Sequence, residues 1–432
     1  RAGTINGPGF FDLRASAVGA DTLLAQIVET VAQAQRARAP VQDLADRVAA
    51  IFVPLVFVSA LTAFVLWLGL TGSWAMALTT SVAVLIIACP CAIGLAVPMS
   101  MAVGVGRAAR AGVLVRQPSA LERFEKTDTL CLDKTGTLTE GRPVVTEVVC
   151  GPEFTEDFLW RVAAVLEARS EHPLATAVVR AARERGVGFA ERVEEFQSLP
   201  GGGVTGRVGA SSVRVGSPEF VGEAGVEDTG GRSRIDVAVD GRWAGVFFLE
   251  DPLKPTTRVA VEKLQRRGLR LVLLSGDREA VVGRVAASLG IGEFRAGLSP
   301  AEKAAVIAEW RARGRVVCMA GDGVNDAPAL AAADCSVAMG AGSDVAKETA
   351  DLVLVKGSLD ALVRSFDLGR AIMRNVRQNL FLAFVYNFLG IPLAAGVLYP
   401  LTGWLLSPMV AGVAMSLSSV SVITNALRLG RL

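Results

Sequence analysis

The sequence predicts a membrane α-helical bundle joined to a cytoplasmic α/β region: a doubly wound parallel sheet with an α+β domain inserted into it. Three observations predict this. Residues 48–70, 74–105, 379–398 and 408–427 contain no Asp, Glu, Lys or Arg, and each run is long enough to cross ~30 Å of hydrocarbon. From residue 129, and again from residue 247, short apolar runs that stop at polar or Gly-rich loops alternate with helical patterns, as parallel strands with crossover helices do. Between them, residues 143–243 break the alternation with two helical stretches followed by short Val-rich, Gly-punctuated strands.

The composition agrees with this split. The chain is 51% hydrophobic with a mean hydropathy of +0.44, yet 20% of its residues are charged and the net charge is only +2. Charge is therefore segregated from the apolar runs. Arg36, Arg38 and Arg47, then Arg107 and Arg110, then Arg370, Arg374 and Arg377, then Arg428 and Arg431 all fall on one side, while the connections at 71–73 and 399–407 carry no charge. Positive flanks mark the cytoplasmic side. The expected membrane part is four helices in two tight hairpins, 48–106 and 371–432, in a plasma (inner) membrane, with the bilayer as a partner and no nucleic-acid partner.

Nothing resembles a cleaved signal peptide, and the Gly-rich stretch after Arg1 reads as the end of something larger, so the chain is expected to be truncated at its N-terminus. Leu24, Ile27, Val28 and Val31 repeat at a helical period, which predicts a connector helix within 21–47. Pro54 lies inside the first membrane run, where neighbouring helices re-satisfy the freed backbone. The six cysteines sit in a chain whose polar part is expected to be cytoplasmic, and are read as thiols.

The second membrane run carries Cys89-Pro90-Cys91 near its middle. Proline removes a helical N–H and unwinds the preceding turn, so side chains at i and i+2 turn toward one point. The pair is read as co-ligands. Thiolates select soft ions such as Cu(I) or Zn, and no carboxylate lies in any of the four runs to compensate a divalent ion. The third run offers Tyr386 and Asn387 and the fourth Met415, Ser418 and Ser419, and a thioether beside two thiolates suits a soft monovalent ion.

Residues 129–132 form a short apolar strand that ends at Asp133, followed by Lys134, Thr135, Gly136 and Thr137. A carboxylate at a strand's carboxyl end lies where open α/β sheets place their ligands. It can attack phosphorus and hold an aspartyl phosphate where cations and N–H groups neutralise the oxygens. Beyond the insert, strands are expected at 270–274, 315–320, 336–339 and 352–355. Their loops bring Ser275-Gly276-Asp277, Lys303 and Gly321-Asp322-Gly323-Val324-Asn325-Asp326 to the same sheet edge. Asp322 and Asp326 suit a hard, oxygen-ligated Mg²⁺, and Lys303 and Ser275 suit the remaining phosphate oxygens. Within the insert, Glu167, Ser170-Glu171-His172-Pro173 and the glycines 201, 203 and 206 stand out. His172 is also a residue that simply precedes a helix starting at Pro173.

Asp133 to Thr137 resemble the phosphorylation signature of the P-type ATPases, and the Gly321–Asp326 run with Ser275, Asp277 and Lys303 resembles the haloacid-dehalogenase superfamily core to which they belong. Cys-Pro-Cys, Tyr-Asn and Met-x-x-Ser-Ser resemble the membrane signatures of the copper(I)-exporting branch of the heavy-metal ATPases. The resemblance implies ATP-driven export of Cu(I), also Ag(I), through an aspartyl phosphate, with a cytoplasmic copper donor as partner. It implies ATP on Glu167, His172, Gly201, Gly203, Thr135, Gly276 and Asp277. It also implies Mg²⁺ on Asp133, Thr135 and Asp322, and transported copper on Cys89, Cys91, Tyr386, Asn387, Met415 and Ser419. The corresponding division is an actuator remnant at 1–20, a phosphorylation domain at 107–141 and 246–370, and a nucleotide-binding domain at 142–245. The family's actuator Thr-Gly-Glu does not occur in the sequence. A Zn²⁺ or Cd²⁺ pump, a non-turning fragment or pseudo-pump, and a membrane-tethered phosphatase are the alternatives.

Overall fold

The computed structural model describes residues 40–430 apart from 90, 171, 189–190, 200, 223–225, 227–231, 323 and 341–343. The expected actuator remnant at 1–20 and most of the connector helix lie outside the described residues. The chain opens with helices α1 (Pro40–Thr71), α2 (Trp74–Ile87) and α3 (Cys91–Arg110), then β1 (Val113–Val115), α4 (Pro118–Lys126) and β2 (Thr129–Asp133). Next come β3 (Val144–Cys150), α5 (Glu156–Glu167), α6 (Pro173–Glu184), β4 (Val193–Leu199), β5 (Gly203–Val208), β6 (Ser211–Gly216), α7 (Pro218–Val221), β7 (Ser233–Val239) and β8 (Arg242–Glu250). They are followed by α8 (Thr257–Arg266), β9 (Arg270–Leu274), α9 (Glu279–Leu289), β10 (Glu293–Arg295), α10 (Pro300–Ala312), β11 (Val317–Gly321) and α11 (Ala327–Ala332). The chain closes with β12 (Cys335–Met339), α12 (Asp344–Thr349), β13 (Leu352–Leu354), α13 (Leu359–Ala394), α14 (Tyr399–Thr402) and α15 (Pro408–Arg428).

These elements form two compact units, one of them Asp128–Ala333 with Ala341–Thr349. In that unit β2 pairs in parallel with both β9 and β11, and β10 adds in parallel to β9. The carboxyl ends of β2, β9 and β11 therefore share one edge, with Asp133 in register with Leu274. The segment from β3 to β8 folds as a six-stranded antiparallel sheet in the order β3-β8-β7-β6-β5-β4, with α5 and α6 closing a core of its own around Leu159, Trp160, Leu166, Val178, Val215 and Phe247. The parallel sheet with an antiparallel-sheet insert stands as the sequence predicted.

The other unit holds the long apolar helices. Leu55, Phe57, Leu61, Leu70, Phe388 and Val413 are all more than half exposed, as apolar side chains facing lipid would be, while Ala83, Val84, Ile87, Ala411 and Met415 are packed between helices.

Two expectations change here. The run at 74–105 is two helices, because α2 ends at Ile87 and α3 starts only at Cys91; Pro90 between them, itself outside the described residues, has no N–H to carry the ladder on. Among the described residues three helices are long and apolar enough to cross a membrane, Arg47–Thr71, Trp74–Arg110 taken across the break, and Pro408–Arg428. The expected run at 379–398 begins inside the 36-residue α13, which starts among charged residues and stops at Ala394. Backbone hydrogen bonding continues through the charge boundary that hydropathy reads as a helix end. The positive-φ Gly396 follows its close.

Candidate active site

Asp133 ends β2 as a buried residue, 4% exposed. Its Oδ1 accepts a hydrogen bond from Lys303 Nζ at 2.5 Å, and the same ammonium donates to Asp326 Oδ1 at 2.8 Å. Lys303 is placed by α10, whose start is closed by a capping box between Ser299 and Glu302. The carboxylates of Asp133, Asp322 and Asp326 each bring an oxygen within 4.8 Å of the others. Lys134 turns away from this cluster and is ion-paired with Asp277.

The turn after Asp133 is held open by Gly136. Its φ is +70°, and a Cβ there would lie 1.7 Å from Asp322 Oδ2, so only glycine lets β2's turn approach the Asp322 carboxylate. Thr137 in the same turn is buried, and its hydroxyl has no hydrogen-bond partner among the described residues. Ser275 Oγ accepts from Asp277 N at 3.2 Å and shapes the loop after β9. Thr135, the other residue expected at the ion, is exposed, and Asp326 is the third carboxylate grouped with Asp133 and Asp322.

Three carboxylates this close cannot all ionise freely. Burial, followed by the charge of Asp326, pushes the Asp133 carboxyl up to about 7 against the pull of Lys303. Burial and Asp326 likewise push Asp322 up to about 6. Burial alone would lower the Lys303 ammonium, but Asp133 and Asp326 more than offset it and the net direction is upward. A raised carboxyl holds its proton in the folded state at pH values where the unfolded chain has lost it, so unfolding releases protons. Stability contributed here therefore falls as pH rises from about 4 to about 7. Asp322→Asn is expected to raise the unfolding midpoint by about 2–4 °C at pH 8, the shift of ~1 kcal/mol in a domain of this size, and hardly at all at pH 4. Calorimetry in a divalent-ion chelator checks it; equal shifts at both pH values would refute the repulsion.

Two groups near the cluster were not legible in the sequence. Lys254 reaches the Gly136 carbonyl, and Asp251 accepts from Thr139 Oγ1 at 2.5 Å and from Arg142 N at 3.1 Å. Together they tie the chain leaving the insert to the chain entering it. The run Asp251-Pro252-Leu253-Lys254-Pro255, directly after β8, was the available signal.

A cavity of about 390 Å³ is lined by Glu167, His172, Gly201, Gly203 and Arg234 of the insert and by Arg278 of the loop after β9, among others. This brings together all four residues expected there, and adds two arginines. Burial pushes Glu167 up to about 7. His172 is both helix start and cavity wall: its Nδ1 accepts from Leu174 N at 3.2 Å and caps α6, which leaves Nε2 as the nitrogen available to a ligand. Gly203 is required by packing, since a Cβ there would lie 2.2 Å from Val215 O across the β5–β6 pairing. Arg234 is fixed by Asp236, which also accepts from Trp243 Nε1 at 3.0 Å. Arg278 lines a cleft with Gly276 and Asp277, so the loop after β9 reaches both the cavity and Lys134.

In the helical unit Cys89 and Cys91 do converge, with Cα atoms 5.4 Å apart, but they are joined as a disulfide, which corrects the expectation that all six cysteines are thiols. The kink brings the sulfurs close enough to bond each other, and reduction is needed before either can serve as a thiolate ligand. Cys131, Cys150, Cys318 and Cys335 are free. Cys89 packs against the cluster containing Met415, and Cys91 is exposed. Asn387 Oδ1 is buried without a partner among the described residues. So is the hydroxyl of Ser418, whereas its neighbour Ser419, the expected ligand, is half-buried. Tyr386 is exposed, its hydroxyl 3.5 Å from Ser421 Oγ.

Residues 127–334 match the family model of haloacid dehalogenase-like hydrolases, and residues 304–365 match a second model of the same description. The chain is 51% identical, over 99% of its length and 52% of the relative's, to a copper-transporting P-type ATPase of Rhizobium leguminosarum bv. viciae. It is 50% identical, over 99% of its length and 53% of the relative's, to a silver exporting P-type ATPase of Salmonella typhimurium. It thus spans about half the length of the curated relatives it matches. A zinc-transporting PIB-type ATPase crystallised in its E2.Pi state superposes with a TM-score of 0.78 at 31% identity, covering 96% of this chain and 68% of that one.

Proposed function

The chain belongs to the metal-transporting PIB-type ATPases, and on that footing we propose that it drives export of Cu(I), and also Ag(I), by ATP hydrolysis through a phosphorylated Asp133. The observation that carries the chemistry is the buried carboxylate of Asp133 at the strand end, bound to Lys303 and grouped with Asp322 and Asp326. In this reading residues 142–245 hold the nucleotide, 107–141 with 246–370 receive the phosphoryl group, and 48–106 with 371–432 hold the metal.

Asp133 attacks the γ-phosphorus, an Asp133–phosphorus bond forms as the bond to the departing ADP oxygen breaks, and Lys303 neutralises oxygen charge beside it. The donor set fits Mg²⁺, because Asp133, Asp322 and Asp326 supply hard oxygens in one cluster. Bound there, the ion would supply charge neutralisation of the phosphoryl oxygens. His172, Glu167 and the Gly201–Gly203 loop take the adenosine end, and Arg278 stands on the way from that cavity to the Asp277 loop.

Copper is preferred over zinc on the membrane residues. Two cysteines, once reduced, and the Met415 thioether form a soft set, and the four apolar runs contain no carboxylate; the curated relatives named above transport or export copper and silver. Zinc rests on the likeness to the zinc-transporting structure. The proposal places the protein in the inner membrane with its soluble part cytoplasmic, served by a cytoplasmic copper donor. The test is phosphoenzyme formation from ATP by the full-length protein under thiol reductant. Cu(I) and Ag(I) are expected to stimulate it by about tenfold or more, since even changes to groups that only support a metal's ligands cost roughly 10–100-fold, and Cys89→Ser or Cys91→Ser to remove the stimulation. Stimulation by Zn²⁺ and none by Cu(I) would transfer the assignment to zinc.

A further inference from the structure

Where the basic stretch of α13 meets its apolar run, and at the carboxyl end of α15, lies a cavity of about 490 Å³ lined by Arg374, Asn375, Gln378, Asn425 and Arg428, with no carboxylate among its lining residues. We propose that it binds the phosphate of an anionic phospholipid headgroup.

The floor of the cavity is built before any ligand arrives. Ser100 Oγ donates to Asn375 Oδ1 at 2.9 Å and accepts from Asn379 Nδ2 at 2.9 Å. Asn425 Nδ2 donates to Asn379 Oδ1 at 2.8 Å, and Asn375 Nδ2 to the Asn425 carbonyl at 2.9 Å. This closed network joins α3, α13 and α15, with Ser100 and Asn379 fully buried and Asn375 6% exposed, so the two carboxamides facing the cavity are held in place.

The charges above that floor are uncommitted. Arg377, one turn along α13, is occupied by a bidentate pair with Glu125 at 2.9 and 2.7 Å. Arg374 and Arg428 are exposed, and neither meets a carboxylate among the described residues; Arg428 donates only to Asn425 Oδ1, at 3.3 Å. The carboxyl end of a helix ordinarily repels an anion. Here Arg107 Nη1 covers the Leu429 carbonyl at 2.6 Å and adds a third positive charge. Two guanidiniums and neighbouring carboxamide N–H groups suit phosphate oxygens, which arginine binds bidentately. The position selects a lipid source, because basic residues that flank apolar membrane runs, as Arg374 flanks 379–398 and Arg428 flanks 408–427, lie at headgroup depth, where anionic phosphates concentrate. A bound headgroup would bridge α13 and α15, the helices that carry Asn387 and Met415.

The test reconstitutes the full-length protein in bilayer discs of phosphatidylcholine with or without 20 mol% phosphatidylglycerol (about one lipid in five, enough to charge the surface). Native mass spectrometry then counts the retained anionic lipid. Arg374→Gln with Arg428→Gln is expected to cut retention about 100-fold, two charge-assisted contacts at roughly tenfold each, whereas Arg110→Gln loses no more than about fivefold, as for any basic residue near the surface. The charge-preserving Arg374→Lys with Arg428→Lys should fold as the parent does and fall between them. Retention unchanged in the Gln pair, or lost equally in Arg110→Gln, overturns the site. A third arm adds inorganic phosphate to neutral discs; stabilisation there, without retention of phosphatidylglycerol, overturns the headgroup as the ligand.

Discussion

Asp133→Asn is expected to abolish labelling of the protein by the γ-phosphate of ATP. Asn keeps the shape of a side chain buried against Lys303 and Asp326 but presents a neutral amide in place of the carboxylate that must attack phosphorus. Loss of a sole nucleophile costs on the order of 10⁶-fold, which is below detection. The nucleotide cavity shares no lining residue with Asp133, so ATP affinity should stay within about twofold, inside the ~0.5 kcal/mol scatter of distant sites. The measurement is acid-stable phosphoenzyme alongside nucleotide binding. Acid-stable label persisting in the variant would move the nucleophile elsewhere, and loss of both signals would point to a folding defect.

Gly136→Ala should cripple the same step while leaving Asp133 in place. The added Cβ would sit 1.7 Å from Asp322 Oδ2 and 2.4 Å from its Cγ, on a residue with φ +70°. The left-handed backbone alone costs roughly 1–2 kcal/mol for alanine. The larger effect is displacement: Asp322 must move to clear the methyl group, and a shift of ~1 Å in a reacting constellation costs about 100-fold in rate. Phosphorylation should therefore fall about 100-fold or more, with the Mg²⁺ requirement raised and ATP binding unchanged. A phosphorylation rate and Mg²⁺ dependence equal to the parent's would show that the turn does not hold Asp322 in its working position.

Much of this site was readable because its parts are local. A strand ending at Asp133, a loop at Ser275–Asp277 and two aspartates four apart in a Gly-rich turn are each patterns of a few residues. Parallel-strand topology then forces them to one edge. Lys303 was anticipated at this edge as a donor to phosphate oxygens; that it pairs with Asp133 itself came from the structure. The restraint of Gly136 by Lys254 was not, since it joins positions 118 residues apart on either side of the insert, and no periodicity reports such a closure. His172 had two readings; the structure shows it capping α6 through Nδ1 and lining the cavity with Glu167, Gly201 and Gly203. In the membrane residues, the spacing Cys-Pro-Cys indicated convergence but not its outcome, a bond between the sulfurs.

From residue order alone followed the fold class, the strand and helix sequence of the α/β region, and the chemistry available at its sheet edge, because hydrophobic periodicity and strand-end punctuation are written into neighbouring residues. Tertiary packing settled the rest. It paired Lys303 with both Asp133 and Asp326, raised the carboxyls of Asp133 and Asp322 through burial and neighbouring charge, buried the Ser418 hydroxyl, and carried α13 unbroken past the charge boundary. Each of these depends on which surfaces meet in three dimensions, and the energies of burial, like-charge repulsion and backbone hydrogen bonding exist only once those surfaces are in contact.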